Sequence, residues 1–268
     1  MAIITKITTQ QKNQDRYNIF MDYGKGEQFA FSVDSDILIK FQLKKGMELD
    51  EFSIVEIGYQ DDIRKAYNLA VQFLARRIRS EKEIRDYLNK KEVEHPVIHE
   101  VIHKLKGQKY INDAEFAKAF VRTMANTTDK GSDVIRMELK EKGIAEEIQN
   151  QALAEYPKEQ QIEKAIKIGE KFFKKPSKDS IKIQRQKLEQ QLLRKGYSFE
   201  MIQIAIQETI NEEEEDELEA IRYQGEKAHR KFAKYTGFEF EQKMKQALYR
   251  KGFSINLIEK FLSEIEKS

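Results

Sequence analysis

A signature with a period of just over fifty residues limits what this chain can fold into. Glycine follows lysine at Lys142-Gly143, Lys195-Gly196 and Lys251-Gly252, spacings of 53 and 56, and a step of 51 back from Gly143 reaches Lys91-Glu92. Leu88, Leu139, Leu192 and Leu248 stand four residues before these anchors, and Ile84, Ile135, Leu188 and Met244 stand eight before. Apolar side chains one helical turn apart share a face. The residue after each anchor is also apolar: Val93, Ile144, Tyr197 or Phe253.

Each unit therefore reads as a helix that ends at a left-handed turn, an apolar residue folded inward, and a helix that packs back. Local caps mark where the middle helices begin: Ser80 with Glu83 has the capping-box pattern, Ser132 precedes Val134 and Ile135, and Thr236 precedes Phe238. The third helices carry Val97, Ile98, Val101, Ile102 and Leu105 in the first unit, and Leu257, Ile258, Phe261, Leu262 and Ile265 in the last. An amphipathic segment precedes each pair, at residues 66–74, 116–121, 162–173 and 218–232. Three helices in about fifty residues bury little by themselves. Four such units are expected to stack as an elongated array, each packing on its neighbours.

Residues before about 60 differ. Segments 3–8, 17–22 and 28–33 are rich in Ile, Tyr, Phe and Thr, and Tyr23-Gly24-Lys25-Gly26 separates the last two as a hairpin turn would. Residues 34–41 read as a short capped helix, Lys45-Gly46 as a turn before residues 51–57, and Asp61-Asp62 as the junction with the repeats. The expected fold is mainly α, a small β-rich N-terminal domain (1–61) followed by three-helix repeats at 62–111, 112–157, 158–210 and 211–268.

With 35% charged residues, three Pro and no Cys, disulfides and thiolate zinc sites are excluded, and a reducing, cytoplasmic setting is expected. Residues 1–6 lack the pattern of a secretory signal, and no apolar run approaches the roughly 18 residues of a membrane span. There is no phosphate-binding glycine loop, zinc-protease helix or recognisable nucleophile setting, so neither an enzyme nor a cofactor is expected. His95, His99 and His103 recur every four residues, but Pro96 places His95 at a helix boundary and the other two lie off the apolar stripe, which makes a poor metal site. The run from Glu212 to Glu217 reads as a solvated boundary between the third and fourth units.

The stretch Leu74-Ala75-Arg76-Arg77-Ile78-Arg79-Ser80-Glu81-Lys82-Glu83-Ile84-Arg85-Asp86-Tyr87-Leu88 resembles the first-repeat signature of the RecX family. Residues 110–122, beginning Tyr110-Ile111-Asn112-Asp113, are similar to the family's inter-repeat segment, and residues 130–144, beginning Lys130-Gly131-Ser132, to its second repeat. The match is specific over about residues 64–155 and looser beyond, and the β segment is similar to an extension of longer members. Ile78, Asn112 and Glu92 depart from the pattern. The resemblance implies tandem three-helix repeats that bind the RecA recombinase filament on single-stranded DNA, limit its growth or strand exchange, and restrain recombination and the DNA-damage response. A monomer is expected.

Charge alternates along the chain. Net charge is −4 over residues 1–62, +6 over 63–111, −3 over 112–157, +5 over 158–210 and −2 over 211–268. A protein that only coats phosphates gains from an unbroken basic face, whereas alternating units suit a protein–DNA assembly. Lys82 and Arg85 fall opposite Ile84 and Leu88, Arg76, Arg77 and Arg79 immediately precede the cap, and Arg136 with Lys140 take the equivalent places in the second unit. These seven are the candidate contacts to recombinase or phosphate. The competing readings are a helix-turn-helix-like transcriptional regulator, for which the third helix of the first unit offers few base-reading side chains, and a protein-only scaffold indifferent to DNA.

Overall fold

β-Branched and aromatic residues alternate across Ala2–Thr9 (β1), Arg16–Asp22 (β2) and Glu27–Asp34 (β3), so one face of the antiparallel sheet is apolar. The computed structural model, which describes residues 2–210 and 214–266, adds a two-residue strand, Glu48–Leu49 (β4), and the sheet order is β3-β2-β1-β4. At the β2–β3 turn the Asp22 carboxylate accepts hydrogen bonds from the backbone N–H groups of Gly24 and Gly26, at 2.7 and 2.9 Å. Asp34 caps Ser35–Lys40 (α1) by accepting from the Asp36 N–H. Ile4, Ile19, Met21, Val33 and Ile57 are fully buried between sheet and helices.

The chain divides into two units. One runs through Ala117 and includes Glu141–Ile148; the other comprises Lys118–Lys140 and the chain from Gln149 onward. In the first, Asp50 caps Glu51–Leu74 (α2), 24 residues long, which passes without a break through Asp61-Asp62. Asp61 is only 2% exposed, because its carboxylate receives Arg16 Nη2 at 2.8 Å, the Asp34 N–H at 2.8 Å and Lys65 Nζ at 3.0 Å. The residue expected at a junction is thus the hinge pin that ties β2 and β3 to α2. The later turns of α2 pack with Glu81–Asn89 (α3) and His95–Gly107 (α4) around Ala66, Ala70, Ile84, Leu88, Val101 and Leu105.

The chain continues through Asp113–Thr127 (α5), Ser132–Glu141 (α6), Glu146–Leu153 (α7), Lys158–Phe173 (α8), Ile181–Arg194 (α9), Phe199–Thr209 (α10), Glu214–Phe232 (α11), Gly237–Arg250 (α12) and Ile255–Glu266 (α13). Within the second unit, α8 to α10 enclose Ala165, Leu188, Leu192, Tyr197, Ile202 and Ala205, and α11 to α13 enclose Ile221, Met244, Leu248, Phe253 and Ile258. Lys164 closes the end of α5 by donating to the carbonyls of Ala125 and Thr128.

All eight leucine-type positions of the periodic signature are at most 1% exposed. Two caps differ from expectation. Ser132 opens α6 instead of capping it, its N–H donating to Gln161 Oε1 at 3.2 Å, and the Thr236 side chain makes no capping bond. Ser180, not among the expected caps, caps α9 by accepting from the Ile183 N–H.

The anchor turns explain where glycine is needed. Glu92, Gly143, Gly196 and Gly252 all have positive φ, at 59°, 78°, 83° and 88°. At three of these turns the N–H after the anchor donates to the leucine carbonyl four residues before the anchor: Val93 to Leu88, Tyr197 to Leu192 and Phe253 to Leu248. A Cβ on Gly143 would lie 2.8 Å from Cβ of Lys82, one on Gly196 2.5 Å from the Val134 nitrogen, and one on Gly252 2.6 Å from Oγ of Ser180. Each of these turns is therefore pressed against the start of the preceding unit's middle helix. The first repeat has no three-helix unit before it. Its turn is exposed at Glu92, and left-handed strain alone does not exclude a side chain there.

Candidate basic interface

Ser80 fixes the entrance to the first middle helix. Its hydroxyl accepts from the Glu83 N–H while the Glu83 carboxylate receives the Ser80 N–H, a complete capping box around a fully buried serine. Burial pushes the Glu83 carboxyl up, but hydrogen bonds from Arg77 and the Ser80 backbone, with Lys142 nearby, hold it below its ordinary value. Arg77 contributes both nitrogens of its fork, Nη2 to Oε1 at 2.6 Å and Nη1 to Oε2 at 3.2 Å, and also donates to the Ile78 carbonyl.

Arg79 is held differently. Its guanidinium lies 4.0 Å from the Phe73 ring centroid, and Phe73 stacks on Tyr87 at 4.1 Å with planes 5° apart. The buried Arg79 Nε has no hydrogen-bond partner among the described residues. Burial and then the neighbouring Arg77 charge lower its pKa, and a guanidinium so placed still carries its charge at neutral pH. Arg76 is exposed and has neither ion-pair nor hydrogen-bond partner among the described residues.

Three of the remaining four candidates, Lys82, Arg85 and Arg136, are engaged within the fold. Lys82 Nζ donates to the Glu141 carbonyl at 2.8 Å, and Arg85 pairs with Glu81 at 2.7 Å. Glu81 also pairs with Lys106, and these two cations outweigh the effect of burial to hold its carboxyl below the usual range. In the second unit Arg136 donates to Asn150, whereas Lys140 is exposed and unpaired among the described residues. The structure thus gathers Arg77, Arg79, Lys82 and Arg85 around one capped helix start and leaves Arg76 and Arg79 as its available guanidinium groups. Phe73 and Tyr87, the platform under Arg79, carry no short-range sequence signal because fourteen residues separate them.

His95, His99 and His103 are exposed along α4, and among the described residues no group of three His, Cys, Asp or Glu is placed to hold a metal ion. No helix of the described residues is long and apolar enough to cross a membrane. Of the acidic run, positions 212 and 213 lie outside the described residues and Glu214 opens α11.

Fold and surface define a tandem three-helix repeat protein that carries an N-terminal antiparallel sheet. The chain belongs to the RecX family: the model of the regulatory protein RecX N-terminal domain matches residues 2–50, those of the first and second three-helix domains of RecX match 66–105 and 112–153, and that of the third matches twice, at 159–206 and 214–262. Regulatory protein RecX of Bacillus velezensis is 49% identical over 267 residues, covering 99% of this chain and 100% of the relative, and that of Bacillus subtilis is 48% identical with the same coverage. A crystal structure of regulatory protein RecX aligns with a TM-score of 0.65 at 35% identity, covering 76% of this chain and 98% of its own. RecX from Lactobacillus salivarius aligns with a TM-score of 0.54 at 40% identity, covering 56% of this chain and 97% of its own. The third-domain model thus matches two successive three-helix segments of the chain.

Proposed function

We propose that this RecX-family regulator acts in the cytoplasm as a monomer without a cofactor, binding the RecA filament on single-stranded DNA and inhibiting its activity. One observation carries the reading: two guanidinium groups, Arg76 and Arg79, stand unpaired at the start of a capped helix, one of them pre-positioned on an aromatic stack. A guanidinium whose rotamers are already restricted loses less freedom when it meets a phosphate or carboxylate. The alternation of basic and acidic segments favours a target that offers both charge signs, as a recombinase on DNA does. The transcriptional-regulator reading draws little support from α4, which contains no Arg, Asn or Gln to read base edges.

The test is ATP hydrolysis and strand exchange by RecA on single-stranded DNA, with this protein added at substoichiometric amounts. Both rates are expected to fall. Unchanged rates at every ratio tested would remove the proposal, and binding to RecA indifferent to DNA and weakly dependent on salt would favour a protein-only scaffold.

A further inference from the structure

We infer that the first half of α2 is a docking face for a partner protein that presents an apolar centre ringed by lysine and arginine. Phe52, Val55 and Tyr59 are 77%, 68% and 36% exposed. At roughly 100° per residue they lie within about 60° of arc on the helix. The opposite side of the same turns already fills the N-terminal core through Ile54 and Ile57, so the exposed three contribute nothing to that core. Isolated surface hydrophobics need no explanation, but three large ones forming a stripe mark an interaction site.

The rim identifies the occupant. Residues 48–62 contain Glu48, Asp50, Glu51, Glu56, Asp61 and Asp62 and not one Lys or Arg. Asp61 is buried in its ion pairs, Asp62 shares Lys65 with it, and Asp50 caps the helix. Glu51 and Glu56 remain exposed, without an ion-pair partner among the described residues, and flank the stripe on its two sides. Carboxylates in that position repel nucleic-acid phosphate and anionic lipid, and they repel the same face of a second copy. They attract an amphipathic surface whose apolar residues are edged with cations. This inference is independent of the basic face on the first repeat and of what that face binds.

The experiment is calorimetric titration of the full chain with an amphipathic leucine–lysine helical peptide, and with a leucine–glutamate peptide of the same apolar face. The leucine–lysine peptide is expected to bind about tenfold or more tightly than its acidic counterpart. Phe52→Ser with Val55→Ser should abolish that preference with unchanged circular dichroism, and Glu51→Lys with Glu56→Lys should transfer it to the acidic peptide. Since these side chains are exposed, the variants are expected to fold, and Tyr59→Ser supplies a second probe of the stripe. Equal binding of the two peptides, or leucine–lysine binding undiminished in the Phe52/Val55 variant, would overturn the proposal. So would binding to phosphatidylglycerol vesicles, or a concentration-dependent dimer by sedimentation, that the same double substitution removes.

Discussion

The ammonium of Lys82 donates a 2.8 Å hydrogen bond to the main-chain carbonyl of Glu141 in the last turn of α6, and the Lys82 stem forms the surface on which Gly143 rests. A cation at a helix C-terminus satisfies a carbonyl that has no partner within the helix. Lys82 is therefore as much a joint between two repeats as a member of a charged surface. Lys82→Glu is expected to lower stability by about 1 kcal/mol, since the bond is lost and a negative charge meets a negative helix end. Urea denaturation of the variant beside Lys82→Arg, which keeps the charge, would read the difference.

The anchor turns make opposite predictions for similar substitutions. Gly196→Ala adds a Cβ 2.5 Å from a backbone nitrogen, which cannot move without shifting α6, and it also strains a left-handed turn. It should destabilise by roughly 2 kcal/mol or more. Glu92→Gly should stabilise by about 1 kcal/mol, because it relieves left-handed strain at an exposed turn where no neighbouring repeat is displaced. Thermal unfolding of the two variants is expected to move in opposite directions. A Glu92→Gly variant no more stable than the parent would mean that the added freedom of the unfolded chain cancels the relief.

The repeat was legible because its determinants are local. Leucine one turn before a left-handed turn, and an apolar residue just after it, recur at fixed offsets since each serves one helix end. The same reading located the three long strands to within two residues and placed the β2–β3 turn, where Asp22 and two glycines act within five positions. What escaped was non-local. Asp61 reads as a junction with the repeats in sequence, and its burial depends on Arg16, 45 residues away. The Arg79 platform needs Phe73 from one helix and Tyr87 from the next. That Lys82, Arg77 and Arg85 have internal partners could not be seen, because a charged residue on a helix face has the same pattern whether or not an acceptor lies opposite.

Leu139 and Leu248 occupy equivalent positions four residues before the anchors of the second and fourth repeats, at 0% and 1% exposure. Truncation to alanine leaves a cavity as well as losing burial, so Leu139→Ala and Leu248→Ala should each cost about 2 to 5 kcal/mol. Denaturation midpoints measured by circular dichroism would show it.

Asp61 makes the stability of the first unit depend on acid. Burial pushes its carboxyl up, but Arg16, the Asp34 N–H and Lys65 outweigh that and hold it below the ordinary carboxylate value. A depressed folded-state pKa contributes stability that is fully present above the unfolded value of about 3.9 and is lost as pH falls through the folded value. Asp61→Asn leaves Arg16 and Lys65 facing a neutral group, and at pH 7 should destabilise by about 2 kcal/mol, less than for a fully buried pair because Lys65 is half exposed. The gap between parent and variant should narrow as pH is lowered below about 4. Urea midpoints at pH 7 and in acid would establish the sign, and a gap that widened in acid would contradict it.

The five candidate cations of the first repeat divide by what they touch, and this division predicts how function and folding separate. Arg76 and Arg79 have no carboxylate partner, whereas Arg77, Lys82 and Arg85 hold Glu83, the Glu141 carbonyl and Glu81. Arg76→Glu with Arg79→Glu should therefore strongly weaken the proposed RecA inhibition while stability measured in urea falls by less than about 1 kcal/mol, the loss coming from the contact with Phe73. Reversing Arg77, Lys82 and Arg85 together should instead unfold the first middle helix at lower urea, since three carboxylates or carbonyls lose their donors at once. Arg79→Lys separates charge from shape. It keeps the cation but gives up the flat stack on Phe73, and an intermediate loss of inhibition would identify the oriented guanidinium as the feature that matters. Inhibition by the Arg76/Arg79 variant should also fall less steeply with added salt than that of the parent, because fewer counterions are released on contact with phosphate. If that variant folds and inhibits as well as the parent at every salt concentration, Arg136 and Lys140 of the second repeat become the cations to test next.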